Sequence, residues 1–260
     1  MDRAAVRDAM KGLLARAGVE VRRRGAGPRR TLPEVLEHVR GLGFEPATVV
    51  DVGVATGTPE LYAAFPDARL LLVEPLREYA PALEELRRGR GAHVAQVAAG
   101  AEPGTAELTV HRVLACSSVV GERSGDEADV TRREVPVARV DALVAERGLP
   151  GPYVLKVDVE GFELDVLAGA ERILAETELV LLEVSLFRLN GANPQFGDVV
   201  CAMRDRGYVV YDIYNGHLRP LDGALAQVDL AFVRDDGRFR RSHAYATPEQ
   251  ADRLYAGWGF

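Results

Sequence analysis

Apolar positions divide the chain into a helical lead-in and a long stretch in which strands and helices alternate. Residues 3–18 place Val6, Met10, Leu13, Leu14 and Ala17 at helical spacing. A second helix is expected from Thr31-Leu32-Pro33-Glu34, which has the S/T-x-x-E capping pattern, until Gly41 and Gly43 stop it. From residue 48 the pattern predicts strand 48–53, helix 59–65, strand 69–74, helix 78–88 and strand 93–97. It resumes with strand 153–158, helix 163–174, strand 179–184, helix 196–206, strand 208–214 and strand 228–233. Such alternation predicts an α/β protein with a doubly wound, seven-stranded, mostly parallel sheet and helices on both faces. No helix separates the last two strands, so they should pair antiparallel around a turn at Asn215-Gly216-His217.

The central stretch from 100 to 140 breaks the rhythm. It holds strand-like pieces at 105–111 and 134–138 with a polar loop, Glu122 to Arg133, between them. Loops of that length in a compact domain tend to be functional or mobile. Ser117 and Ser118, near its start, either reach the ligand crevice or serve ordinary turn chemistry. The organisation expected is an N-terminal helical extension over 1–45, acting as a lid or a homo-oligomer contact, a main domain over 46–240 and a C-terminal tail over 241–260.

Composition narrows the classes. With 260 residues, 47% hydrophobic and 27% charged, the chain can bury one full core. A net charge of -7 argues against nucleic acid as the main partner, because a phosphate-tracking surface needs clustered Lys and Arg. The basic run of Arg22, Arg23, Arg24, Arg29 and Arg30 reads as a solvated loop. Cys116 and Cys201 have no metal-ligand spacing and read as small buried side chains in a reducing cytoplasm. No run approaches the roughly 18 apolar residues of a membrane span, and Met1-Asp2-Arg3 opens no signal-peptide stretch.

The chemistry is concentrated where strands end. An apolar run stops at Asp51 and opens into Gly53 and Gly57, which reads as a buried parallel strand whose carboxyl end leaves room for a ligand against the backbone. Glu74, closing the next strand, is placed to take the vicinal hydroxyls of a ribose. The loop DVGVATGT lacks both G-x-G-x-x-G and the lysine of a P-loop, so it suits a nucleoside cofactor with a compact zwitterionic end and no phosphate: S-adenosylmethionine. Lys156, Asp158 and Glu160 fall on one side of an extended strand, and a buried lysine there needs a carboxylate such as Asp158 beside it. Glu183 ends its strand in the same way. Asp51, Glu74, Asp158 and Glu183 would then line one sheet edge as cofactor ligands plus a general base or a metal pair, which leaves Mg2+ open as a second cofactor. An NAD-dependent oxidoreductase with a degenerate fingerprint, or a non-catalytic cofactor-binding module, is the alternative.

These residues resemble the FkbM family of S-adenosylmethionine-dependent methyltransferases. The likeness rests on DVGVATGT at 51–58, LLVEP at 71–75, VAAG at 97–100, the segment 137–143, LKVDVEGFELDVLAGA at 155–170 and LLEV at 181–184. Val54-Ala55-Thr56 and Ala138-Arg139 depart from the usual family pattern. The resemblance implies a class I, Rossmann-like methyltransferase fold and methyl transfer to a hydroxyl of a sugar, glycoside or secondary metabolite. It further implies that Asp51 and Gly53 hold the methionine end of the cofactor, Glu74 its ribose, and that Gly100 borders the adenine. Thr56, Gly57, Pro75, Ala99 and Ser117 complete the expected cofactor site. Asp158 would sit beside the methyl group as base or metal-orienting carboxylate, followed as candidates by Glu183 and then His217.

Overall fold

The structure is a computed structural model that describes residues 6, 10, 13, 14, 16, 27–119, 130–189 and 193–256. Helix α1 (Leu32–Gly41) leads into strand β1 (Thr48–Val52), helix α2 (Pro59–Ala64), β2 (Arg69–Val73), α3 (Ala80–Arg90) and β3 (His93–Ala95). Strands β4 (Ala98–Ala99), β5 (Gly104–His111) and β6 (Val130–Ala138) follow, then α4 (Val140–Glu146), β7 (Tyr153–Val157), α5 (Glu163–Ala168), α6 (Glu171–Leu174) and β8 (Thr177–Ser185). Helix α7 (Phe196–Asp205), β9 (Tyr208–Leu218), β10 (Leu225–Arg234) and α8 (Pro248–Ala256) close the order.

The main sheet has seven strands in the order β3-β2-β1-β7-β8-β10-β9. Its pairs are parallel except that β10 runs antiparallel to both β8 and β9. This is the class I, Rossmann-like arrangement that the alternation and the resemblance imply. Side chains alternate across the strands: Val50, Val52, Leu71, Val73 and Leu155 enter the core on one face, and Val49, Leu70, Leu72 and Val154 enter it on the other. Both faces being covered explains why these strands read as near-continuous apolar runs. Among the described residues no helix is long and apolar enough to cross a membrane.

Helix α1 belongs to this core. Leu32, Val35, Leu36 and Val39 are buried, at the spacing of one helical face, in the same cluster as Phe44, Leu61 and Phe65. Thr31 takes the N-cap position without a side-chain cap, and Glu34 instead accepts the Arg30 backbone N–H at 2.6 Å. Upstream, Val6, Met10, Leu13 and Leu14 are helical as the spacing predicts, with Val6, Met10 and Leu13 exposed. Ala17, Arg22 to Arg24 and the loop residues 120–129 lie outside the described residues.

Five sequence expectations change. The strand expected at 93–97 ends at Ala95 as β3, a separate short strand, β4, follows it into a three-stranded side sheet, β4-β6-β5, and residues 130–133 of the expected loop are part of β6. The helix expected over 163–174 breaks into α5 and α6: Gly169, between them, packs so closely on Gly100 that a Cβ there would lie 2.1 Å from the Gly100 carbonyl oxygen, and the Asp141 carboxylate accepts the N–H groups of Arg172 and Ile173, each at 3.0 Å, where α6 begins. Asn215, Gly216 and His217 are strand, the turn lying beyond Leu218. Register shifts between Leu225, Gln227 and Asp229 let Asn215 take φ 48° inside β9, and a bulge of this kind carries the same Asn-Gly signature as a hairpin turn. Cys116 is half-buried and Cys201 exposed, so neither is the enclosed side chain expected.

Candidate active site

The carboxyl ends of β1, β2 and β7 meet at one place. Gly53 follows β1 in the left-handed region at φ 76°, and its N–H donates to the Val73 carbonyl at 2.9 Å. Any side chain is excluded there, since a Cβ would come within 1.7 Å of the Asp158 carbonyl oxygen. The Asp158 N–H in turn donates to Val52 O at 3.0 Å, so the loops after β1 and β7 are laid against each other. Glu160 and Gly161 also have positive φ, 53° and 102°. This turn is held by Ser118, whose hydroxyl donates to Glu160 O at 2.8 Å, and by Glu163, whose carboxylate accepts the Gly161 N–H at 2.8 Å.

Glu74 closes β2 and is 4% exposed. Its two oxygens accept the backbone N–H groups of Ala55 and Leu76, each at 2.9 Å. Burial pushes this carboxyl above its usual range, against the pull of the two N–H donors. One lone pair on each oxygen is thereby engaged, and the others face a cavity lined also by Gly53, Pro75, Tyr79, Ala99, Ser117, Ser118, Asp158 and Phe162. Among the described residues, Glu74, Asp158 and Glu160 are the charged side chains of the lining.

A second cavity opens on the other side of Asp158. Thr31, Leu32, Pro33, Thr58, Glu60, Lys156, Glu183, Asn215, His217 and Asp229 line it, and Gly53, Ala55 and Asp158 border both cavities. Glu183 and Asp229 stand opposite each other across the β8–β10 ladder. Gln227 donates to Glu183 at 2.9 Å and Asn215 to Asp229 at 2.8 Å. Burial, followed by the neighbouring negative charge of Asp158, pushes Glu183 up to about 9. Burial likewise lifts Asp229 to about 6, against its hydrogen bond from Asn215. Lys156 goes the other way from a typical buried lysine: burial favours its neutral form, but Asp51 and Asp158 outweigh burial and hold it charged.

Of the residues singled out in the sequence, the structure brings Gly53, Glu74, Pro75, Ala99, Ser117 and Asp158 to the first cavity, and Gly57, Glu183 and His217 to the second. Asp51, Thr56 and Gly100 line neither. Asp51 is fully buried, accepting the hydroxyls of Thr58 at 2.8 Å and Tyr62 at 2.6 Å, with Lys156 3.6 Å away. It lies inside β1, one residue before the strand ends, and is engaged there by Tyr62 of helix α2. Thr56 is exposed, and Gly100 packs against Val137 and Phe162. Asp229 and Asn215 went unrecognised in the sequence. An acid inside the apolar run Val228-Asp229-Leu230-Ala231-Phe232 is the signal that points to the first. Among the described residues no group of three or more His, Cys, Asp or Glu side chains is arranged to hold a metal ion, so the open Mg2+ expectation finds no ligand set.

Residues 51–210 match the family described as the methyltransferase FkbM domain, which is more than half of the chain. No curated protein matches. Among solved structures, the chain is similar to precorrin-6y C5,15-methyltransferase from Geobacter metallireducens at 10% identity, covering 82% of this chain and 93% of that one with a TM-score of 0.40. It is also similar to magnesium protoporphyrin IX methyltransferase from Synechocystis PCC 6803, at 12% identity, 90% and 98% coverage and a TM-score of 0.41. A third is 1,6-didemethyltoxoflavin-N1-methyltransferase from Burkholderia thailandensis, at 16% identity, 89% and 88% coverage and a TM-score of 0.38. By the family match over its strand-end motifs, the chain belongs to the methyltransferase FkbM domain family.

Proposed function

We propose that the protein is an S-adenosylmethionine-dependent O-methyltransferase acting on a hydroxyl of a sugar, glycoside or secondary metabolite in the cytoplasm. The observation that carries this is the meeting of two unlike cavities at Gly53, Ala55 and Asp158. The first, largely apolar with Glu74 at its edge, suits an adenosine whose ribose hydroxyls bind the free lone pairs of that carboxylate. Gly53 leaves the backbone bare where a compact ligand end has to pass. The second cavity, rich in carboxylates, suits a polyhydroxylated acceptor. Residues 31–33 border it, which supports reading part of the 1–45 segment as a wall of the acceptor site.

The cofactor, when bound, supplies a sulfonium methyl group already activated for displacement. The protein's own work is to align an acceptor oxygen and take its proton. Asp158 borders both cavities and is the residue assigned as base. Glu183, protonated near neutral pH, serves the acceptor as a hydrogen-bond donor instead.

Calorimetric titration with S-adenosylmethionine and with NAD tests the cofactor, and transfer of labelled methyl to a panel of glycosides and hydroxylated natural products tests the reaction. Preference for NAD, or transfer only to nitrogen or carbon acceptors, would sink the proposal. Asp158→Asn is expected to lower turnover by roughly a hundred- to ten-thousandfold, the usual contribution of a positioned base. Parental turnover in that variant would remove Asp158 from the role.

A further inference from the structure

Asp158 lies just past the end of β7, in a turn with two left-handed residues, and its side chain is 40% exposed between two cavities. A carboxylate in that position can swing toward either space unless something ties it. Lys156 is two residues earlier on the same side of the strand, with Nζ 3.1 Å from Asp158 Oδ2. The β1–β7 register sets Asp51 directly beside Lys156, and Asp51 Oδ1 is 3.6 Å from the same ammonium. Asp51 is in turn gripped from its far side by the Thr58 and Tyr62 hydroxyls of the loop and helix that follow β1.

Building on the cofactor reading above, we propose that Lys156, anchored by Asp51, is a positioning residue that holds the Asp158 carboxylate at the junction of the two cavities, facing the group to be transferred. The chain from Tyr62 through Asp51 and Lys156 to Asp158 links α2, β1 and β7 behind the site. It also accounts for why Asp51, which the motif places beside the cofactor, is spent on a buried lysine. A lysine kept only to neutralise Asp51 would need no second partner reaching out to the cavity edge.

The test compares two ligands that differ at the junction. S-adenosylhomocysteine carries a neutral thioether there, whereas sinefungin carries an amine-bearing carbon in place of the S-methyl group. An Asp158 carboxylate aimed at that point should make the parent protein bind sinefungin about tenfold or more tighter than S-adenosylhomocysteine, as a charge-assisted hydrogen bond does. Asp158→Asn should erase the preference. The double variant Lys156→Met with Asp51→Asn removes one charge of each sign, so no lone charge is left buried, and it retains Asp158. It is expected to lose most of the preference while binding S-adenosylhomocysteine within a few-fold of the parent, with thermal melting as the check on folding. Asp51→Asn alone, nearly isosteric, should lose several-fold.

A folded double variant, or Asp51→Asn, with the parental preference overturns the proposal and leaves both residues as sheet-holding groups. A parent that binds S-adenosylhomocysteine without favouring sinefungin overturns the positioning of Asp158 alone. A parent that binds neither overturns the cofactor reading as well.

Discussion

Glu74 shows how much one side chain does at a strand end. It shapes the turn through Ala55 and Leu76 and still presents free lone pairs to the first cavity. Glu74→Ala is therefore expected to weaken S-adenosylmethionine binding by about tenfold to a hundredfold, the worth of charge-assisted hydrogen bonds, while the protein remains folded. Calorimetry on variant and parent measures it, and equal affinities would take Glu74 out of the site. Gly53 offers a sharper case. Gly53→Ala adds a methyl group 1.7 Å from the Asp158 carbonyl oxygen at a positive φ, so the loop after β7 has to move. Loss of cofactor binding in a protein that keeps its far-ultraviolet circular dichroism is the expected result, and parental binding would contradict the close approach.

At the scale of elements, α1 is the informative one. Its position before the first strand reads as an extension, yet Leu36 is 1% exposed within the core that also holds Phe44 and Phe65. Leu36→Ala should cost about 2–5 kcal/mol of unfolding free energy in a urea titration, as for other buried leucines. A cost of a few tenths would mean that the helix is a detachable lid. The bulge in β9, the edge strand beside which α1 packs, is the counterpart within the sheet. By giving Asn215 a left-handed conformation it allows that side chain to reach Asp229, which aims the acid toward the second cavity.

For the whole molecule, the acids gathered at the sheet edge should make stability fall as pH rises. Burial pushes Glu183 to about 9, Glu163 to about 7 and Asp229 to about 6, all above the ordinary carboxylate range. The folded protein keeps these protons over a range where the unfolded chain has already released them, so each deprotonation works against the fold. The thermal midpoint is expected to decline from pH 5 to pH 9, with Glu183→Gln removing the upper part of that decline. A midpoint rising over this interval, or a Glu183→Gln profile parallel to the parent, would contradict the environment assigned to Glu183.

The order of strands and helices, the parallel sheet with one reversed strand and the strand-end positions of Glu74, Asp158 and Glu183 were legible in the sequence. These follow from local periodicity and from the rule that buried parallel strands present their carboxyl ends to ligands. The destinations of individual polar side chains were not. Asp51 and Asp158 look equivalent as acids ending apolar runs, but the β1–β7 register sets Asp51 beside Lys156, inside the strand and in reach of Tyr62, and leaves Asp158 two residues further on, at the cavities. Asn215-Gly216 looks like a turn because a bulge and a turn both need positive φ, and only the pairing with β10 distinguishes them. Asp229 meets Glu183 only across the β8–β10 ladder, where Gln227, 44 residues from Glu183 in sequence, donates to it. Local pattern decides which residues are strand or helix; which acids share a cavity is decided by the order in which the strands are laid side by side.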